Sequence, residues 1–157
     1  MIPNKSTERR LVLRVLEYWQ ALRGDRDFPA AAAFDDRVLG DDWAWSLVIG
    51  LGAGPDNAEF KHVGDNLRTP DWSAGADLLV KDCPRPSLLG AAVEYMPRVL
   101  DRQVPISIGS ELNVAGTMIL YRSILLPLSN DGTVIDGLLG AANFRPIGTN
   151  EGADTES

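Results

Sequence analysis

The sequence predicts an α+β fold built on a five-stranded antiparallel sheet, with helices inserted between strands 2 and 3 and a flanking helix at the N-terminus. Two observations place the strands. Residues 104–144 contain three apolar, β-branched-rich runs separated by two turn signals: a strong one at 129–132, where Asn, Asp and Gly favour a tight hairpin, and a looser one at 113–116. Residues 43–63 contain two further strand patterns joined by a Gly-rich turn. A third observation, an amphipathic pattern at the start of the chain, places the flanking helix. Strands joined by short turns must pair antiparallel, because parallel neighbours need a crossover of about a dozen residues.

Composition indicates one ordinary globular domain. The chain has 157 residues, of which 45% are hydrophobic and 24% charged, so a single core is expected and overall disorder is not. No apolar run approaches the length of a membrane span, and the N-terminus lacks the apolar core of a signal peptide. A single cysteine, Cys83, excludes an intrachain disulfide framework. We therefore expect a cytoplasmic protein that does not associate with membranes.

The charge distribution argues against a nucleic-acid partner. The net charge is −7, yet basic side chains outnumber acidic ones within residues 1–26, so the rest of the chain is strongly acidic. An acidic body repels phosphate backbones. A basic helix beside an acidic body favours docking between the two, or between two copies of the chain.

Residues 1–24 predict the N-terminal amphipathic helix as a segment of its own. Ser6 or Thr7 can cap its start, and Gly24 can close it. The apolar stripe is wide, so either the sheet or a second chain must bury one face; we expect a homodimer through this helix. A connector with acidic pairs follows at 25–42. The apolar positions recur at spacings of three and four: Leu11, Val12, Val15, Leu16, Tyr18, Trp19 and Leu22.

The first two strands are predicted at 43–51 and 58–63. In the first, the odd-numbered residues from Trp43 onward lie on one side of the pleat. In the second, Phe60 and His62 lie together on the side opposite Val63. A turn at 52–57 makes the two strands a hairpin.

The segment between strands 2 and 3 is helical and irregular. Residues 64–86 predict short helical turns, and residues 87–102 predict a helix capped by Ser87 and bent at Pro97. The polar, Gly-rich tail at 146–157 is predicted to be disordered. The inward anchors expected in the irregular segment are Trp72, Leu78, Leu79 and Val80.

This element order is the PAS arrangement, and the chain resembles the small bacterial PAS-like domain proteins that begin with a long helix. The matching segments are LEYWQALRGDRDFP at 16–29, FKHVGDNL at 60–67 and LYRSILLPLSNDGTVIDGLLGAANF at 120–144. The resemblance implies a PAS-like domain at 25–145. The sequence departs from the family pattern at 64–86.

The resemblance implies a sensory or regulatory domain, not an enzyme, that signals through a partner protein. It would bind a small molecule in a cavity between the sheet and the helices. The alternative is a ligand-free protein-interaction adaptor or dimerisation module whose cavity is filled by its own side chains. The residues predicted to line the cavity are Phe60, His62, Trp72, Tyr95, Met96, Ile106, Ile108, Tyr121 and Ser123.

No motif identifies a cofactor, which stays unknown. The stretch Gly50–Gly54 follows an apolar strand, but it leads into another strand instead of the helix that a dinucleotide-binding loop requires, so it predicts a hairpin loop. His62 is the single histidine, which excludes a metal site with two imidazoles, and the related haem sensors usually place their histidine on the helical segment.

The remaining chemistry is sparse. The stretch around Cys83 lacks the Asn-Cys-Arg-Phe pattern of light-sensing relatives, so no flavin adduct is expected. A partly exposed thiol between Lys81 and Arg85 would have a stabilised thiolate, which leaves redox sensing as an alternative. Motifs for a serine nucleophile are absent, and no carboxylate pair can be placed face to face from spacing.

Overall fold

The computed structural model describes residues 7–52, 54–68 and 79–147. The helices are α1 (Thr7–Arg23), α2 (Asp36–Leu39), α3 (Leu88–Val93) and α4 (Met96–Arg102). The strands are β1 (Ser46–Gly50), β2 (Glu59–Val63), β3 (Ile106–Val114), β4 (Thr117–Leu128) and β5 (Gly137–Pro146). Short 3-10 helices occupy Ala31–Ala33, Gly40–Trp45, Pro55–Asn57, Asp65–Leu67 and Val80–Asp82.

The strands form one five-stranded sheet in the order β2-β1-β5-β4-β3. Every neighbouring pair is antiparallel, and β1 lies between its hairpin partner β2 and the C-terminal strand β5. Helices α3 and α4 lie between β2 and β3 in the chain. This strand order with this insertion is the PAS arrangement, so the predicted α+β fold class is confirmed.

The two turns of the C-terminal meander differ. β3 and β4 are joined by a tight turn at 113–116, the looser of the two signals in the sequence; there Ala115 and Gly116 have φ angles of 53° and 89°. A tight hairpin at 129–132 is wrong, because β5 begins only at Gly137. The Asp131 carboxylate accepts hydrogen bonds from the backbone N–H groups of Thr133 and Val134, which folds the connection into a wider loop.

Two other boundaries also differ from the prediction. The first strand begins at Ser46, because residues 40–45 form a 3-10 helix and the Ser46 hydroxyl donates to the Asp42 carbonyl at 2.7 Å. The segment 87–102 is two helices instead of one bent helix. Ser87 caps α3 as expected, and Pro97 lies in the first turn of α4, where its missing N–H costs nothing.

Helix α1 covers one face of the sheet, which we call the outer face. Its buried side chains Leu11, Val15 and Trp19 pack with residues of β4 and β5, and the Trp19 indole donates to the Pro127 carbonyl at 2.8 Å. Arg14 also forms an ion pair with Asp42. The apolar stripe is therefore buried within the same chain. A homodimer through α1 stays a prediction, which would use the side of the helix that exposes Leu13.

Helices α3 and α4 cover the other face, which we call the inner face. Leu89 and Val99 from the helices and Leu125 and Leu138 from the sheet are completely buried in one cluster. No helix in the described part of the chain is long and apolar enough to cross a membrane.

The sheet also takes in the beginning of the predicted tail. β5 extends to Pro146, and the Ile147 N–H donates to the Met118 carbonyl at 3.0 Å. These two residues are therefore ordered, contrary to the prediction, whereas 148–157 lie outside the described residues. Trp72 and Leu78 lie outside them as well.

Candidate functional site

The inner face brings together most of the residues predicted to line the cavity. The side chains of Phe60, Tyr95, Met96 and Tyr121 are each buried in the same cluster. Ser123 is completely buried beside them. Ile106 and Ile108 are half-buried and pack against the same cluster from β3. The alternation of β4 directs Tyr121 and Ser123 inward, and Tyr95 and Met96 face them from the start of α4.

A short chain of hydrogen bonds lies within this apolar cluster. The hydroxyl oxygens of Tyr95 and Ser123 are 2.7 Å apart. The Ser123 hydroxyl also lies 3.4 Å from the carbonyl oxygen of Ile108, which can only accept. Ser123 therefore donates to Ile108 and accepts from Tyr95. Each buried hydroxyl has a partner, as buried polar groups require.

The tyrosine hydroxyls on the inner face are uncharged. Burial raises the pKa of Tyr95 far above its ordinary value, against the smaller opposing effect of its hydrogen bond with Ser123. Burial also raises the pKa of Tyr121, and the nearby Glu94 carboxylate adds to that shift. Both phenols are protonated at physiological pH. A molecule in contact with them would meet apolar surface and neutral hydroxyl groups.

His62 lies on the opposite face from Phe60, so the expectation that the two share a face is wrong. Ile49 pairs with Phe60, whereas Val48 pairs with His62, which leaves Lys61 as the extra residue of a β-bulge. The bulge reverses the alternation between Phe60 and His62. The apolar Val63, three residues after the apolar Phe60, was the sequence signal that could have revealed it.

The His62 ring stacks on the Trp43 ring, a contact that the sequence analysis missed. The ring centroids are 3.7 Å apart and the planes differ by 4°. Nε2 of His62 lies 3.1 Å from the Trp43 carbonyl, so Nε2 carries the proton and Nδ1 is the acceptor. Burial lowers the pKa of His62. The pair borders a cleft of about 560 Å³ that also includes Asp41 and Asp65.

The other candidate groups are the cysteine, the Gly-rich loop and the residue types that ligate metals. Cys83 is buried and burial raises the pKa of its thiol, so the expectation of a partly exposed thiolate is wrong. The chain after Gly54 enters the short 3-10 helix Pro55–Asn57 and then β2, which confirms a hairpin loop. Among the described residues, no group of three or more His, Cys, Asp or Glu side chains could hold a metal ion.

Comparisons with known proteins find similarity among solved structures, where 15 chains match. No protein-family model matches the chain. No curated protein matches it. A solved structure of a fungal LOV domain photoreceptor is similar over 72% of this chain and 93% of that chain, with 19% sequence identity and a TM-score of 0.40. This similarity says nothing about a ligand of this chain. The PAS arrangement stands on the strand order and pairings described above.

Proposed function

We propose that this chain is a PAS-type sensory or regulatory domain that binds a small, largely apolar molecule at the inner face and signals through a partner protein. The observation that carries the proposal is the hydrogen-bonded pair Tyr95 and Ser123, buried among apolar side chains. Small-molecule sites are mostly apolar and contain a few polar groups that orient the ligand. The proposed location is the cytosol, which fits a chain whose single cysteine, Cys83, cannot form an intrachain disulfide.

The chemistry of the pair suggests the class of ligand. The Tyr95 phenol is a neutral donor and Ser123 is a neutral donor and acceptor, so neither favours a charged group. A ligand hydroxyl, carbonyl or amide could take over either end of their hydrogen bond without leaving a buried hydroxyl unpaired. Binding by exchange of one hydrogen bond for another costs little.

The same strand offers a route from the inner face to α1. Ser123 points inward, and its neighbour Ile124 points outward into the cluster that holds α1. At the end of β4, the Pro127 carbonyl accepts the Trp19 indole hydrogen bond. A shift of β4 on ligand binding would therefore change how α1 packs on the sheet. The exposed side of α1, around Leu13, is where the predicted homodimer or a signalling partner would read the change.

Native mass spectrometry of the protein as purified from its host tests the proposal. We expect a stoichiometric bound small molecule that survives in His62→Ala, because that ring lies on the outer face. Tyr95→Phe and Ser123→Ala should each bind the released molecule about tenfold more weakly when it is titrated back, since that is the loss expected from one hydrogen bond in a buried site. Ligand-free wild-type protein would contradict the proposal.

A second function is favoured by the packing of the inner face. Leu89, Val99, Leu125 and Leu138 are completely buried against one another, so helices and sheet pack directly over that part of the face. A domain filled in this way over its whole inner face would have no room for a ligand there, and would act as a protein-interaction adaptor or dimerisation module. That function predicts ligand-free protein in every preparation, together with a protein partner recovered by pull-down on the intact chain.

A further inference from the structure

We propose that the outer edge of β3 is a self-association site, at which two copies of the chain pair their β3 strands antiparallel about Ser110. β3 is the last strand of the sheet, and no described residue pairs with its outer edge. Ile106–Val114 contains no proline or lysine, and its single charged residue is Glu111. Edge strands that lack such protection are templates for pairing with another strand.

The turn after β3 fixes which backbone groups are available. Ala115 and Gly116 both have positive φ, as in a type I′ turn, so Val114 and Thr117 form the hydrogen-bonded pair that closes it. Bonding alternates along an antiparallel pair. The hydrogen bond from the Ser123 hydroxyl to the Ile108 carbonyl agrees with this alternation, because it places the Ile108 carbonyl on the side of β3 that faces β4. The residues whose N–H and C=O groups point away from the sheet are therefore Ser107, Gly109, Glu111 and Asn113.

The strand is complementary to itself in one register. With Ser110 opposite Ser110 of the second copy, the inner-face side chains pair as Ile106 with Val114 and Ile108 with Leu112. These four apolar side chains are only half-buried in one chain, so pairing would cover them further. The outward-pointing groups meet in this register and form up to about eight backbone hydrogen bonds.

Charge separates this register from the next. When the pairing is centred on Ser110, Glu111 lies opposite Gly109 of the second copy, where no charge opposes it. Moving the centre to Glu111 would set two carboxylates directly opposite each other, which is destabilising. Pro105 has no N–H to donate, so it limits the pairing to the strand itself.

Gly109 allows association and folding to be tested separately. Its Cβ position lies 3.2 Å from the guanidinium carbon of Arg122 in the same chain, and opposite Glu111 of the second copy. An acidic side chain at 109 would be attracted by Arg122 and repelled across the interface. A lysine there would be repelled by Arg122 and attracted across the interface. The two substitutions therefore change monomer stability and dimer affinity in opposite directions.

Sedimentation equilibrium of the intact chain over a range of protein concentrations measures the association. We expect the wild type to dimerise. Gly109→Glu should dissociate about tenfold more readily than Gly109→Lys, because each dimer contains two such contacts. Combining Gly109→Glu with Glu111→Lys should dimerise at least as tightly as the wild type, because opposite charges then face each other where the wild type has a carboxylate opposite a glycine. Urea unfolding of each variant establishes that it folds.

Three results would overturn the proposal. The first is a wild type that is monomeric at every concentration. The second is a dissociation constant that is the same in all the Gly109 variants. The third is a dimer that these variants leave intact but Leu13→Glu dissociates, which would assign the contact to α1. The inference does not rest on the proposed ligand, so ligand-free protein leaves it standing.

Discussion

The two faces of the sheet are closed in different ways. One long helix covers the outer face: its Trp19 indole makes a buried hydrogen bond with the Pro127 carbonyl, and Arg14 pairs with Asp42 nearer the surface. Two short helices cover the inner face, and there the hydroxyls of Tyr95 and Ser123 lie within the apolar cluster. Each face therefore contains a buried hydrogen bond, and a buried polar group that loses its partner destabilises the fold. The two bonds differ in their partners: on the outer face an indole is tied to a backbone carbonyl of β4, whereas on the inner face two neutral hydroxyls are tied to each other.

The largest expected effect tests the attachment of α1. Trp19→Ala removes a buried indole from the outer face and should lower the free energy of unfolding by about 4 kcal/mol. Trp19→Phe keeps most of the apolar volume but leaves the Pro127 carbonyl without its donor, so we expect a loss of about 2 kcal/mol. Urea denaturation measures both. Equal losses would mean that the hydrogen bond, not the packing, holds the helix.

The next effect concerns the junction of β2 with the 3-10 helix before β1. A Cβ at Gly64 would lie 2.2 Å from the Ala44 carbonyl oxygen, a backbone atom that cannot move aside alone. Gly64→Ala should therefore cost about 3 kcal/mol in unfolding free energy. Gly52→Ala is the matched control, because nothing lies within 4 Å of its Cβ position, and it should cost less than about 0.5 kcal/mol. Similar values for the two variants would contradict this placement of Gly64.

A smaller effect tests the hydrogen bond of the inner face. Tyr95→Phe and Ser123→Ala should each lower the free energy of unfolding by about 1 kcal/mol. The double variant should lose less than the sum of the two, because the first substitution already breaks the shared bond. Tyr121→Phe removes a hydroxyl from the same face without breaking that bond, and serves as the control. Additive losses in the double variant would show that the two hydroxyls do not interact.

The smallest effect is a pH dependence on the outer face. Burial lowers the pKa of His62 in the folded chain, Arg68 lowers it further, and Trp43, Asp36 and Asp65 act in the opposite direction. The unfolded imidazole, with a pKa near 6.5, therefore binds protons more readily than the folded one. The contribution of neutral His62 to the free energy of unfolding is therefore complete above the unfolded pKa of 6.5, and it is lost as the pH falls through the lower pKa of the folded chain.

Comparison of the wild type with His62→Gln isolates this contribution from those of the carboxylates. The difference between their unfolding free energies should change in favour of the variant when the pH is lowered from about 7.5 to about 5. A difference that does not depend on pH would mean that His62 is as accessible to protons in the folded chain as in the unfolded one.

Local sequence patterns predicted much of the fold correctly. The amphipathic spacing of Leu11, Val15 and Trp19 indicated α1, and the structure buries the same side chains. Ser87 was recognised as a helix cap, and its hydroxyl does accept the Gly90 N–H. These features depend on residues a few positions apart, where backbone geometry alone relates the side chains.

The candidate site was predicted less completely. Phe60, Tyr95 and Ser123 were placed on the inner face, where the structure has them, because each lies on an element with a clear apolar side. His62 was misplaced, because a bulge at Lys61 depends on pairing with β1 and not on the sequence of β2 itself. The apolar alternation of 43–51 predicts that Trp43 lies in a strand, whereas the structure has it in a 3-10 helix, where its ring stacks on His62.

The amino-acid pattern alone determined that the chain has an N-terminal amphipathic helix, strands in the order of a hairpin followed by a meander, and a turn within residues 113–116. It did so because apolar periodicity and turn chemistry act over a few residues. Tertiary structure decided that α1 packs on its own sheet, that His62 faces Trp43, and that Tyr95 bonds Ser123 across 28 positions of the chain. Those contacts depend on strand register and on where separate elements meet, and local periodicity contains neither.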